Sequence, residues 1–179
     1  MGMKFETQRF IVKEAGEDDL EYVMRLERAE ENRDFVFQNS LEEHKKNLDS
    51  PETMLFIAEE RVTGEKCAFI LCSLKESYDS FELRRIVVDS KSKGTGSELI
   101  SALIKYAFEV VKANRFWLDV FTDNERAVHL YNKLGMVHEG ILRQMLMYGK
   151  EASNRKQEID RQHYTIPNQR PKDKHCGKI

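Results

Sequence analysis

The residues with the clearest chemical potential lie in one turn. Lys91-Ser92-Lys93-Gly94-Thr95-Gly96 follows the apolar run Ile86-Val87-Val88. It precedes Leu99, Ile100, Leu103, Ile104, Ala107, Phe108 and Val111, which recur as one helical stripe. A helix start leaves its first N–H groups without intrahelical partners and carries partial positive charge. Two glycines let the backbone approach a bulky anion, and Lys91 and Lys93 add formal charge. This chemistry suits a phosphate or pyrophosphate. The alternative is a plain strand-to-helix connection with solvated lysines, because the spacing fits neither G-x-G-x-x-G nor the P-loop.

A second constellation runs from Trp117 to Met136. An apolar strand ends in the polar loop Thr122-Asp123-Asn124, where Asn124 can cap the following helix. Tyr131 lies two turns further on, and Gly135 is a natural C-terminal stop. Taken alone, Ala127, Leu130, Tyr131 and Leu134 also read as an ordinary core stripe.

The elements that must position these residues are legible around them. Gln8 to Ala15 reads as a strand. Gly16-Glu17-Asp18-Asp19 opens a helix with acids in its first turn, and Ser40-Leu41-Glu42-Glu43 is a capping box for a second, ending near Leu48. The interval Glu30–Asn39 receives no assignment. Met54–Glu59 and Cys67–Leu74 form a hairpin across Arg61–Glu65, and a strand at 81–88 follows. A helix at 97–112, a strand at Phe116–Val120, a helix at 124–134 and strands at Val137–Arg143 and Gln157–Ile166 complete an α/β chain with a mixed sheet.

With a charge of −2 over 179 residues, composition gives no global reason to expect nucleic acid or a membrane surface as partner. No apolar run approaches a membrane span, and Met1–Glu6 holds no signal-peptide core, so the expected location is cytoplasmic. Three cysteines without metal-like spacing read as reduced thiols, Cys67 and Cys72 on opposite faces of one strand. Residues 167–179 carry two prolines and little that is apolar, a loose basic tail behind a domain of residues 1–166.

The two constellations together resemble the GNAT superfamily of N-acetyltransferases, of the ribosomal-protein or small-amine type. Lys91-Ser92-Lys93-Gly94-Thr95-Gly96 corresponds to the family's [Q/R]-x-x-G-x-[G/A] pyrophosphate loop, with lysine in the first position. Asn124, Ala127, Leu130-Tyr131 and Gly135-Met136 match its asparagine–tyrosine helix. The resemblance implies a GNAT-like (α+β) fold, a mostly antiparallel central sheet of about seven strands with about four helices. It implies acetyl-coenzyme A as co-substrate and no metal, with a small-molecule amine or a protein N-terminus as acceptor in a ternary complex. A homodimer is compatible with it.

By the same resemblance, Ile86, Val87 and Val88 pair with the pantetheine arm, and Lys91, Ser92, Lys93, Gly94, Thr95, Gly96 and Ser97 hold the pyrophosphate. Asn124 and Ala127 border the pantetheine, and Lys133 reaches phosphate or stays solvated. Tyr131 is the general acid for the departing thiolate. Glu82 is the general base, sharing a strand face with Arg84, Ile86 and Val88, or else a structural partner of Arg84 or Arg61. Glu30, Glu31, Glu42 and Glu43 hint at a cationic acceptor, though they are equally ordinary as helix-surface charge. The competing reading is an acyl-coenzyme A-binding module without catalysis.

Overall fold

The computed structural model describes residues 4–75, 79–90, 94–146 and 159–167. Lys91, Ser92, Lys93, Cys176, residues 147–158 and the basic tail beyond 167 lie outside them. Eight strands form one sheet: β1 (Lys4–Glu6), β2 (Phe10–Glu14), β3 (Thr53–Glu60), β4 (Lys66–Lys75), β5 (Ser80–Val88), β6 (Arg115–Phe121), β7 (Val137–Leu146) and β8 (Ile159–Pro167). Their order is β1-β2-β3-β4-β5-β6-β8-β7. Every neighbouring pair is antiparallel except β5 and β6. The strand beyond the expected seven is β1, three residues that only their pairing with β2 defines.

The four helices are α1 (Leu20–Arg28), α2 (Leu41–Asp49), α3 (Thr95–Lys105) and α4 (Glu125–Lys133). Their ends follow local chemistry. Asp19 Oδ2 accepts from Gly16 N–H at 2.8 Å ahead of α1. Ser40 and Glu43 cap α2 reciprocally, at 3.2 and 2.7 Å. Asn124 Oδ1 accepts from Ala127 N–H at 3.2 Å to start α4. The helix expected at 97–112 is not one α-helix: α3 stops at Lys105 and continues as a π-helical turn, Tyr106–Val110. The i+5 bond from Val111 N–H to Tyr106 C=O widens that turn while Tyr106 and Ala107 stay buried.

The sheet is covered on both faces. On one, α3 lays Leu99, Ile100 and Leu103 on Phe56, Ile70, Cys72, Phe81, Leu83, Phe116, Leu118 and Tyr164. On the other, Leu20, Val23 and Leu26 of α1 meet Leu55, Ile57, Phe69, Leu71 and Val87. This second layer stops at β5. Because Phe116, Leu118 and Val120 belong to the α3 side, Trp117, Asp119 and Phe121 face the other way, as do His163 and Thr165 of β8.

β-Bulges overturn two expectations about strand faces. In β5 the register slips between the pairs Leu71–Arg85 and Cys72–Leu83, leaving Arg84 as an extra residue. Phe81 and Leu83 therefore share the α3 side with Ile86 and Val88, whereas Glu82 lies on the α1 side with Arg85 and Val87. Glu82 does not share a face with Ile86 and Val88. In β4, Cys67 is the extra residue between the pairs Ala58–Ala68 and Glu59–Lys66. Both Cys67 and Cys72 consequently pack with the α3-side core, not on opposite faces.

Candidate active site

The parallel pair at the middle of the sheet is short. Ser80, Phe81 and Glu82 face Arg115, Phe116 and Trp117, and the ladder goes no further although both strands continue. Beyond that point β5 and β6 part, and among the described residues the β6-facing edge of residues 83–88 has no strand partner. An unpaired edge of N–H and C=O groups is a template for an extended ligand.

A cleft of about 970 Å³ opens at this split. Ile86, Val87 and Val88 form one wall, Gly94, Thr95, Gly96 and Ser97 one end, and Asn124, Ala127, Tyr131 and Lys133 of α4 the opposite wall. These eleven residues, quoted far apart in the chain, thus line one space, with Gly94 and Tyr131 on the same cleft. Glu82 does not line it. Gly94 precedes α3 at φ +73°, a left-handed conformation that glycine adopts without a Cβ clash. A Cβ on Gly96 would stand 3.6 Å from Leu130 and 3.9 Å from Val88, ordinary contacts that put the start of α3 between β5 and α4.

Along α4, Arg126, His129 and Lys133 recur at i, i+3 and i+7, and all three line the cleft. His129 is exposed to solvent as well as lining the cleft. The carbonyl of Asn124 caps α4, leaving its amide N–H groups for the cleft. Tyr131 is 7% exposed, its ring 5.9 Å from that of Tyr164. Its hydroxyl makes no hydrogen bond to any described residue, and burial pushes its pKa up to about 12.

The α1-side end of the cleft is more polar. Glu31, Phe35 and Phe37 from the unassigned interval, Arg84 and Arg85 from β5, Asp119 and Phe121 from β6, Asp123, and Arg161 from β8 line it. The Arg161 guanidinium lies 4.9 Å from the Phe37 ring centre and 4.8 Å from that of Phe121. Arg85 is held from behind: its Nη1 donates to Glu27 Oε1 at 2.7 Å and its Nη2 to Asn39 Oδ1 at 3.0 Å. Glu27 is fully buried and also meets His44 Nε2 at 3.0 Å. This network fastens the interval 30–39 to α1, α2 and β5.

Among the four glutamates read as a cationic-acceptor hint, only Glu31 reaches the cleft. Glu43 caps α2, Glu42 meets Lys46 at 3.1 Å, and Glu30 stands near Arg33. Arg61 is paired with Glu6 at 2.8 Å rather than with Glu82. Burial raises the Glu82 carboxyl pKa, and the nearby Asp119 charge adds to the rise while Arg84 opposes it. Asp119 itself reaches the cleft, which the sequence reading missed. The signal was a carboxylate standing alone in the apolar strand Trp117-Leu118-Asp119-Val120.

A mixed sheet that divides between two parallel strands, with a glycine-led helix start at one side of the division and a tyrosine-bearing helix at the other, is the acetyltransferase architecture. Residues 20–136 match the acetyltransferase (GNAT) family, and the chain belongs to that family. The spermine/spermidine N(1)-acetyltransferase of Bacillus subtilis (strain 168) is 30% identical over 87 residues, 44% of this chain and 57% of that protein. The chain thus spans little more than half of that relative. An N-alpha-acetyltransferase of Sulfurisphaera tokodaii is 24% identical over 157 residues, 81% of this chain and 90% of that one. Among solved structures, spermidine N-acetyltransferase from Vibrio cholerae in complex with CoA and spermine superposes with a TM-score of 0.74. It is 20% identical over 89% of this chain and 95% of its own, a likeness of fold. No described helix is long and apolar enough to cross a membrane. No group of three or more His, Cys, Asp or Glu among the described residues is arranged to hold a metal ion.

Proposed function

We propose that the protein transfers acetyl from acetyl-coenzyme A to a primary amine by direct attack in a ternary complex, and that the amine is a small cationic molecule of the polyamine type. The observation that carries this reading is the splayed β5–β6 pair, whose cleft holds the turn residues and Tyr131 together. The unpaired edge at Ile86–Val88 receives the pantetheine arm as an added strand, and one of its N–H groups polarises the thioester carbonyl. Gly94–Ser97 at the start of α3, with Lys133 of α4, serve the phosphates, and Asn124 and Ala127 border the pantetheine.

The polar end receives the amine. Asp119 and Glu31 attract a cation there, while Phe37 and Phe121 supply apolar surface for methylene carbons. Only the neutral amine can attack, so one proton is lost to solvent beforehand. As the C–N bond forms, the remaining N–H protons become far more acidic, and Asp119 takes one. The C–S bond then breaks and Tyr131 donates its proton toward the departing sulfur. Asp119 lines the cleft and Glu82 does not, so the amine-facing carboxylate is assigned to Asp119.

Thiol release measured with acetyl-coenzyme A and a panel of spermidine, spermine, monoamines and N-terminal peptides tests the reading. Turnover should favour the polyamines. Their kcat/KM should rise about tenfold per pH unit between pH 7 and 9, because a primary amine has a pKa near 10.4. Asp119→Asn should lower kcat/KM for the amine by roughly 10²-fold and leave KM for acetyl-coenzyme A unchanged. Binding of coenzyme A without turnover of any amine establishes a binding module instead, and a preference for peptides moves the acceptor to a protein N-terminus.

A further inference from the structure

Asp119 does not stand alone on its face of the sheet. It lies directly opposite His163 in the antiparallel β6–β8 ladder, and its Oδ1 is 2.5 Å from His163 Nδ1. The other imidazole nitrogen, Nε2, is 2.7 Å from Arg115 Nη2. Arg115 is four pairs away along β6, on the same face, and the same nitrogen donates to Glu139 Oε2 at 2.7 Å. Glu139 is aimed there by a bulge: β7 pairs His138 with Tyr164 and Gly140 with His163, leaving Glu139 as the extra residue. Thr165 Oγ1 donates to its second oxygen at 2.9 Å. Trp117, tied by its indole N–H to Ser80 at 2.8 Å, lies against the imidazole with ring centres 5.2 Å apart.

The donors and acceptors in this row allow one assignment. A guanidinium has no acceptor and stays protonated, so His163 Nε2 must accept from Arg115. The imidazole is then neutral with its proton on Nδ1, and that proton points at Asp119. We infer that His163 is a positioning residue for the acceptor amine: held in its Nδ1–H tautomer by Arg115 and Glu139, it donates to Asp119 Oδ1 and leaves Oδ2 as the oxygen offered to the amine. The inference rests on the transferase reading above, in which Asp119 meets the amine.

The arrangement has a purpose beyond packing. A carboxylate on a strand at the mouth of an open cleft rotates about χ2 unless one oxygen is fixed. Fixing it with a neutral donor keeps the full negative charge for the ammonium, whereas an imidazolium would cancel most of it. Among the described residues, Glu82 of β5 acts on Asp119 from the side, Arg84 of β5 and Arg161 of β8 act on Glu82 in turn, and Arg115 and Glu139 act on His163 from β6 and β7. Asp119 and His163 side chains are 5% and 17% exposed, so solvent does not readily replace either bond.

The test combines a spectroscopic and a kinetic measurement on the full chain. Nitrogen-15 imidazole resonances of the wild-type protein should show His163 in the Nδ1–H tautomer at neutral pH. His163→Leu should lower kcat/KM for the amine roughly tenfold, as expected for losing one hydrogen bond to a charged group at the low end of its range, with KM for acetyl-coenzyme A unchanged. His163→Asn, which returns an N–H near the Nδ1 position, should recover most of the loss. Arg115→Leu should free Nε2, shift the nitrogen-15 resonances of His163 toward a mixture of the two tautomers, and lower kcat/KM for the amine with KM for acetyl-coenzyme A unchanged. An Nε2–H tautomer or an imidazolium at neutral pH overturns the inference. So does an active His163→Leu variant with unaltered amine kinetics, or a coincident loss of acetyl-coenzyme A binding. A wild-type protein that binds coenzyme A, shows the Nδ1–H tautomer and turns over no amine instead overturns the transferase reading, and the positioning role with it.

Discussion

Replacing Tyr131 by Phe removes one oxygen atom and keeps the ring, so it isolates the proton donor proposed for the departing thiolate. The hydroxyl makes no bond to a described residue, and the ring contact with Tyr164 survives the change. No buried partner is orphaned, and the thermal midpoint should stay within about 2 °C of wild type. The size of the kinetic effect follows from the environment. Burial holds the phenol near a pKa of about 12, whereas a thiol has one of about 8.5. Complete transfer to a free thiolate is then uphill by about 3.5 units, or roughly 5 kcal/mol. Tyr131 therefore acts by a hydrogen bond to sulfur as negative charge develops in the breaking C–S bond. A bond to a charged group contributes about 1.5–3 kcal/mol, and at about 1.36 kcal/mol per tenfold the expected fall in kcat is roughly 10²-fold. The assay is thiol release at saturating acetyl-coenzyme A and amine, between about pH 7 and 10. Because the folded pKa lies above the ordinary value, the phenol stays protonated across that window and adds no alkaline limb. A kcat within about twofold of wild type, or an alkaline limb near pH 10 that the substitution abolishes, refutes the assignment.

Other perturbations separate the parts of the site. Gly94→Ala forces a Cβ into the left-handed region at φ +73°, at a cost of about 1–2 kcal/mol. KM for acetyl-coenzyme A should rise several-fold and the denaturant midpoint fall, and two unchanged values count against the turn. Glu82→Gln removes a carboxylate whose pKa burial has raised. Its contribution favours folding at low pH and is lost as pH rises through the folded pKa, so the gain in thermal midpoint should be largest at neutral pH. Activity should change by less than about threefold, and a loss near 10²-fold returns the base role to Glu82. Glu27→Ala leaves Arg85 and His44 without their shared buried partner, which costs about 3–5 kcal/mol, on the order of 10 °C in thermal midpoint by calorimetry. A shift below about 2 °C sinks the view that this network fastens the acceptor-side wall.

Most of the cleft around Gly94 and Tyr131 was legible because its residues are consecutive or helically spaced. Gly94, Thr95, Gly96 and Ser97 follow one strand, and Asn124, Ala127 and Tyr131 mark one helix, so local pattern sufficed to group them. The polar end was not legible. Phe37, Asp119, Arg161 and His163 come from three segments, and the last three residues are neighbours only because β8 inserts between β6 and β7. Glu82 was misplaced for a different reason. Alternation assigns faces by counting residues, and the bulge at Arg84 adds one to the count that no propensity in Glu82-Leu83-Arg84-Arg85 announces.

The chain by itself therefore determined most of its elements, their caps, the glycine-bearing turn before α3 and the family resemblance, because each rests on interactions within a few residues of its own backbone. Tertiary structure alone decided where β5 and β6 part, which carboxylate reaches the cleft, and how His163 and Arg115 stand behind it. Those depend on register and strand order, set by burial of the sheet against its two helical layers, and no local stretch of sequence carries that information.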